Sequence, residues 1–243
     1  MLATQNLGSI TDGGRDVIVE RSMHPGWLSN AYLVADHRGG TGVFVDSGAP
    51  LEPLLRAVEE QELTVTHLLV THGHGDHTAG NETLRRRFDL ETVERAQSPF
   101  QTGALTIEVL PTPGHSGDSL SFLINGNVCF SGDTIFAGSV GGSGSSYTDL
   151  RRSIMEVLLA LPPETRLLPG HTDETSVGRE WEQNPFVRVW RGLDPEGDER
   201  CSVGGREARL VLWARDYDGG FKALVRFEDG DQVVGGSRVE RQR

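Results

Sequence analysis

From Thr71 to His77 the chain reads Thr-His-Gly-His-Gly-Asp-His, and no other stretch limits so tightly what it can fold into. Three imidazoles and one carboxylate fall within the six residues from His72 to His77. Neutral imidazole and carboxylate are ligands for Zn²⁺ and related first-row metals. Thr66 to Val70, just before the run, is apolar and β-type, and Thr78 to Phe88 after it has a helical texture. The run is therefore a loop at the end of a strand. Side chains on such a loop do not all face one point, a geometry that suits two neighbouring ions better than one.

Further metal-type residues stand in matching contexts downstream. His115 lies in Thr112-Pro113-Gly114-His115-Ser116, Asp133 in Phe130-Ser131-Gly132-Asp133-Thr134, and His171 in Leu168-Pro169-Gly170-His171-Thr172. Each directly follows a glycine, which lets backbone turn tightly and approach a centre closely. Around these loops strands alternate with helices. Val17–Glu20, Ala31–Ala35, Gly42–Asp46 and Val65–Val70 read as strands, and Leu51–Glu62 as a helix with Leu51, Leu54, Leu55 and Val58 at helical spacing. Asn81–Phe88 is helical; Leu105–Leu110, Leu120–Ile124, Val128–Phe130 and Arg166–Leu168 are strands. Asp149–Leu161 is an amphipathic helix stopped by Pro162-Pro163, and Glu174–Glu182 is a last helix. The pattern by itself means a layered α/β protein.

The His-x-His-x-Asp-His run with its separate His, Asp and His loops resembles the metallo-β-lactamase superfamily, over roughly residues 15 to 190. The resemblance implies a four-layer αββα sandwich with metals at one edge between two sheets. It implies that His72, His74 and His115 hold one ion, that Asp76, His77 and His171 hold a second, and that Asp133 bridges them. Asp76 and Asp133 are then the catalytic carboxylates. Two divalent ions are implied, zinc first, with iron or manganese as alternatives. They bring four positive charges, of which the two aspartates remove two, so the centre stays positive. Such a centre lowers the pKa of bound water towards about 7 and polarises a carbonyl, so hydrolysis needs no side-chain nucleophile. Asp46, at the end of the Gly42–Asp46 strand, either orients a ligand histidine, as the resemblance suggests, or caps a turn. Asn81 reads as a cap of the helix after the metal run, and His24, His37 and His67 stand outside the motif.

Within the superfamily the likeness is to glyoxalase II-type hydrolases, carried by Thr112-Pro113-Gly114-His115-Ser116, by Ser131 to Gly141, by Pro169-Gly170-His171 and by Asn184-Pro185-Phe186. That implies hydrolysis of a hydroxyacyl thioester to hydroxy acid and thiol by attack of a metal-bridging hydroxide. The chain departs from that pattern at Gly142, where relatives often carry arginine, and at Asp118, where many carry glycine. The helical C-terminal domain that holds glutathione in larger relatives is replaced. The thiol carrier is therefore open. A persulfide dioxygenase with one iron on His72, His115 and Asp133, and a lactonase, are the alternatives within the same superfamily.

The chain has 243 residues, room for one good core with a small appendage. Residues 1–192 read as the catalytic domain, 193–200 as an acidic linker (Asp194-Pro195-Glu196-Gly197-Asp198-Glu199), and 201–243 as a small β module, SH3- or Tudor-like. Its strands are Ala208–Trp213, Lys222–Phe227 and Gln232–Val234, and its Trp213, Tyr217, Phe221 and Phe227 read as core. It supplies no expected ligand, so it is expected to be dispensable for building the metal centre. A net charge of −12 argues against a nucleic-acid partner. Met1–Thr11 is polar with no apolar core, and no stretch approaches the ~18 apolar residues of a membrane span. A cytoplasmic enzyme acting on a small-molecule thioester is expected, without a membrane partner, with self-association left open. Cys129 and Cys201 do not make a disulfide framework.

Overall fold

A computed structural model describes residues 5–9 (backbone), 17–91, 93 and 98–241. Part of the polar Met1–Thr11 segment lies outside the described residues. The chain divides into two compact units, each discontinuous in sequence. One comprises residues 1–110, 120–130 and 170–172, the other 111–119, 131–169 and 173–243.

The first unit is built on a five-stranded sheet, in chain order from β1 (Gln5–Ser9) through β2 (Ile18–Met23), β3 (Asn30–Ala35) and β4 (Thr41–Val45) to β5 (Thr64–Leu69). The first four strands pair antiparallel, and β4 and β5 pair parallel, joined by helix α1 (Glu52–Glu60). β3 and the inner residues of β4 and β5 are buried, which is why they read as near-continuous apolar runs. Leu54, Ala57 and Val58 of α1 pack with Leu33, Phe44 and Leu68. The metal run then opens as a single turn, α2 (Gly75–Thr78), followed by α3 (Asn81–Arg87). Strands β6 (Phe100–Thr102), β7 (Leu105–Pro111), β8 (Leu120–Ile124) and β9 (Val128–Gly132) follow one another in a second sheet.

The second unit contains a small hairpin, β10 (Ile135–Phe136) and β11 (Ser139–Val140). Helix α4 (Tyr147–Arg152) is capped by Ser146 Oγ, which accepts from Asp149 N at 3.2 Å. It passes into π-helical turns over Ser153–Leu158 rather than continuing as one α-helix to Leu161. β12 (Arg166–Pro169) pairs antiparallel with β13 (Thr175–Ser176). The expected helix at Glu174–Glu182 begins later, as α5 (Val177–Gln183), and α6 (Pro185–Trp190) follows. Asn184 separates the two, its Oδ1 accepting from Phe186 N and Val187 N, with Pro185 pre-set for the first helical position.

The C-terminal residues form five strands rather than three: β14 (Glu199–Val203), β15 (Arg206–Arg215), β16 (Phe221–Phe227), β17 (Gly230–Gly235) and β18 (Val239–Arg241). The order is β17-β16-β15-β14-β18, with neighbours antiparallel. Gly204 and Gly205, both at positive φ, make the two-residue turn between β14 and β15. Cys201, Leu210, Ala223, Val225 and Phe227 form the core of this sheet. Trp213 stacks on Phe221 at 5.0 Å, and Tyr217 packs on Phe136 at 4.6 Å. Among the described residues no helix is long and apolar enough to cross a membrane.

Candidate metal centre

Parallel pairing of β4 and β5 sets Val45 beside Leu69, so both strands end at the same edge. Asp46 follows the first and Thr71 the second, and Asp46 N–H donates to Leu69 O at 2.9 Å. Asp46 sits at φ 54°, a left-handed conformation that aspartate tolerates better than most residues. Its carboxylate is 2 % exposed and fully used. Oδ1 accepts from Thr71 N at 2.8 Å, and Oδ2 accepts from Thr71 Oγ1 at 2.7 Å and from His77 Nδ1 at 2.9 Å. Gly48 lets the metal run approach: a Cβ there would fall 1.6 Å from Asp76 O.

The histidine tautomers follow from their neighbours. His77 Nδ1 must donate to the Asp46 carboxylate, which leaves Nε2 with its lone pair. Thr71 Oγ1 gives its proton to Asp46 and so accepts from His72 Nδ1, 3.1 Å away. His72 Nε2 is then a lone pair too, and it lies 3.0 Å from His74 Nδ1. His171 Nδ1 donates to Trp27 O at 3.0 Å. Its loop is pinned by Arg21 and Asn30, which both donate to Thr172 O, the latter at 2.9 Å. His171 Nε2 lies 3.4 Å from Asp76 Oδ2, and His77 Nε2 lies 3.7 Å from the same oxygen. Asp76, His77 and His171 thus each offer one atom, mutually within 4.8 Å, as a group able to hold a metal ion.

The second unit holds the other two expected ligands. His115 Nδ1 donates to Gly142 O at 3.1 Å, and its Nε2 stands 3.6 Å from Asp133 Oδ2. A Cβ on Gly141 would lie 1.9 Å from Asp133 O, and one on Gly144 would lie 2.6 Å from His115 O. Only glycine fits against either backbone.

Every expected site residue is therefore in a described, ordered setting. Asp46, His72, His74, Asp76, His77 and His171 belong to the first unit, and His115 and Asp133 to the second. Asn81 is not the cap of α3; Gly80 holds that position, and Asn81 Oδ1 accepts from Ser47 Oγ at 2.6 Å. Thr71 and the carbonyls of Trp27 and Gly142 carry no expected role in the sequence. A carbonyl leaves no mark on the residue type, whereas Thr71 could be found from its place between a strand end and His72. His67 lies beside Phe100 at 5.0 Å, and burial lowers its pKa against the opposing pull of Glu91. The set of lone-pair imidazole nitrogens and carboxylate oxygens is the chemistry a divalent first-row cation requires. Neither cysteine competes for it: both are buried, and burial pushes the Cys129 thiol up to about 12.

Residues 24–100 match the family described as the metallo-beta-lactamase superfamily. An uncharacterized protein of Mycobacterium leprae, ML0493, is 30% identical over 202 residues, which span 65% of this chain and 93% of that one. A hydroxyacylglutathione hydrolase of Rhizobium meliloti is 33% identical over 156 residues, spanning 57% of this chain and 60% of that one. The crystal structure of ETHE1 from Myxococcus xanthus superposes with a TM-score of 0.62 at 30% identity, over 71% of this chain and 85% of that one. The fold is thus the αββα sandwich that the motifs imply, carrying an additional C-terminal β sheet. The chain belongs to the metallo-β-lactamase superfamily, and the relatives it matches include a probable metallo-hydrolase of Bacillus subtilis.

Proposed function

We propose that this chain is a binuclear metallohydrolase of thioester bonds. One ion is assigned to His72, His74 and His115 and the other to Asp76, His77 and His171, with Asp133 shared between them. The observation that carries the reading is the tautomer pattern. Four histidines each spend Nδ1–H on an oxygen acceptor, namely Thr71 Oγ1, Asp46 Oδ2, Gly142 O and Trp27 O. With Nδ1 protonated, the lone pair of each ring is on Nε2, and that of His72 faces His74 Nδ1 at 3.0 Å. Zinc suits this nitrogen and oxygen set, with iron and manganese next.

Two such ions would make water acidic at neutral pH and polarise an acyl carbonyl. The chain's own part is orientation. Asp46 fixes His77 directly and His72 through Thr71, so one buried carboxylate holds two rings. Asp76 and Asp133 lower the positive charge of the centre and face imidazole Nε2 atoms across 3.4 Å and 3.6 Å. A thioester suits a site built this way. Its leaving thiol has a pKa of about 8.5, so it departs as thiolate without a strong general acid, which an amide requires. The resemblance to hydroxyacylglutathione hydrolase supports the same bond class.

Metal analysis of the purified chain should give about two ions per chain. In heavy-oxygen water, thioester turnover should place solvent oxygen in the carboxylate and consume no O₂. Stoichiometric oxygen uptake with a persulfide, in the absence of thioester turnover, would replace this reading with the mono-iron dioxygenase.

A further inference from the structure

Gly141-Gly142-Ser143-Gly144 has little conformational preference of its own, yet Gly142 O is the acceptor that sets the His115 ring. Its shape has to come from what it is bonded to. The partner is the C-terminal sheet, which belongs to the same compact unit. Ser143 N–H donates to Val233 O of β17 at 2.9 Å. Val233 N–H donates back to Ser143 Oγ at 2.8 Å. Two successive residues thus carry a carbonyl to the imidazole and an amide to the sheet.

The sheet holds the other end of the same loop as well. Ser139 Oγ donates to Asp216 Oδ1 at 2.8 Å, and Asp216 Oδ2 pairs with Lys222 Nζ at 3.0 Å. Lys222 is the only lysine of the chain and is 7 % exposed. Its ammonium stands 5.6 Å from the Phe136 ring centre and 5.5 Å from that of Tyr217. An ammonium is buried at a cost unless its partners are fixed around it, so the pair defines where Phe136 and Ser139 lie. Between the two anchors, Gly141 packs against Asp133 O with no space for a side chain. A Cβ on Gly142 would lie 3.6 Å from Val233 O. In this chain the sheet stands beside that position.

We propose that the C-terminal sheet is the positioning element for the His115–Asp133 side of the metal centre, with Ser143, Asp216 and Lys222 as its positioning residues. It supplies no ligand. Val233 fixes Ser143 and, through it, the Gly142 carbonyl, while the Asp216–Lys222 pair fixes the turn after Asp133. This rests on the reading of His115 and Asp133 as metal ligands, and it departs from the expectation that residues 201–243 are dispensable for building the centre.

The test uses the full chain with Ser143→Ala, Ser143→Thr and Asp216→Asn. Two readouts are taken at pH 7: the ¹⁵N spectrum of the His115 ring in the metal-free protein, and release of cobalt from the loaded protein to a chromophoric chelator. In the unsubstituted protein His115 should show a single tautomer protonated at Nδ1. Ser143→Ala and Asp216→Asn should mix the tautomers, change the visible cobalt spectrum and speed release of at least one ion by about ten-fold. Ser143→Thr, which keeps the hydroxyl, should restore both signals. Should Asp216→Asn fail to fold, the Ser143 pair decides the matter. A wild-type His115 spectrum and wild-type release in Ser143→Ala would overturn the proposal. If the unsubstituted protein binds no cobalt while the His115 signal still follows Ser143, the ligand reading fails and the positioning role survives.

Discussion

Asp46 shows how much one side chain can settle. Its two oxygens take three donors, and through them two imidazoles are turned to present Nε2. Asp46→Asn would keep the shape but place an NH₂ group where one of the acceptors stands. If that group faces His77 Nδ1, the ring must reverse its tautomer and point N–H at the cation. Metal affinity should fall by about ten- to a hundred-fold, while the urea midpoint of the metal-free protein moves much less. Affinity measured by competition with a chelator checks this. An unchanged affinity would mean that Asp46 only shapes the turn. At this scale the sequence was informative for the seven ligand-type residues, which stand out by type and spacing; Asp46 was singled out through the family resemblance, and the Thr71 hydroxyl was missed. The sequence was silent where chemistry resides in backbone, as at Trp27 O and Gly142 O, because any residue supplies a carbonyl.

Among the elements, legibility followed burial. β3, β4 and β5 are apolar runs because their inner residues face packed neighbours, and their spans lie within a residue or two of those the pattern predicts. The two-residue strands β10 and β11 lie in a Gly- and Ser-rich stretch with no alternation to show. β18 is Val-Glu-Arg, a strand only because β14 offers it an edge. The turn after β3 has its own electrostatic anchor in Asp36. Burial by itself would raise the pKa of that carboxyl, but N–H donors from Ala104, Thr41 and His37 hold it below the usual value, aided by the charge of His37. A carboxyl lowered in the folded state stabilises the fold above its unfolded pKa, and that stabilisation is lost as pH falls through the folded value. Asp36→Asn should therefore lower the urea midpoint at pH 7, and its deficit against wild type should shrink below about pH 3.8. Parallel denaturation series at several pH values would read this directly. A deficit that stays constant to pH 2 would assign the loss to hydrogen bonding alone.

At the scale of the whole molecule, the chain distributes its ligand-type residues over two discontinuous units, with six of the eight expected site residues in one. The superfamily fold was legible because its ligand loops are spaced distinctively. The manner in which the C-terminal strands engage the rest of the second unit was not, since it depends on a hydrogen bond that Val233 donates to a residue ninety positions earlier and one that Asp216 accepts from a residue seventy-seven positions earlier. The burial of Lys222 has a consequence for reactivity. A thioester is an acylating agent, and an exposed, partly deprotonated lysine is the amine it would modify most readily. The one ε-amine this chain owns is enclosed by Asp216, Phe136 and Tyr217. On the proposed thioesterase reading, the chain would meet activated acyl groups at every turnover and present no lysine for self-acylation. Incubation with excess acyl thioester, or with an amine-reactive ester at pH 8, should leave Lys222 unmodified in the folded protein and modify it after denaturation. Peptide mass mapping would show the difference, and rapid acylation of Lys222 in the native state would refute it.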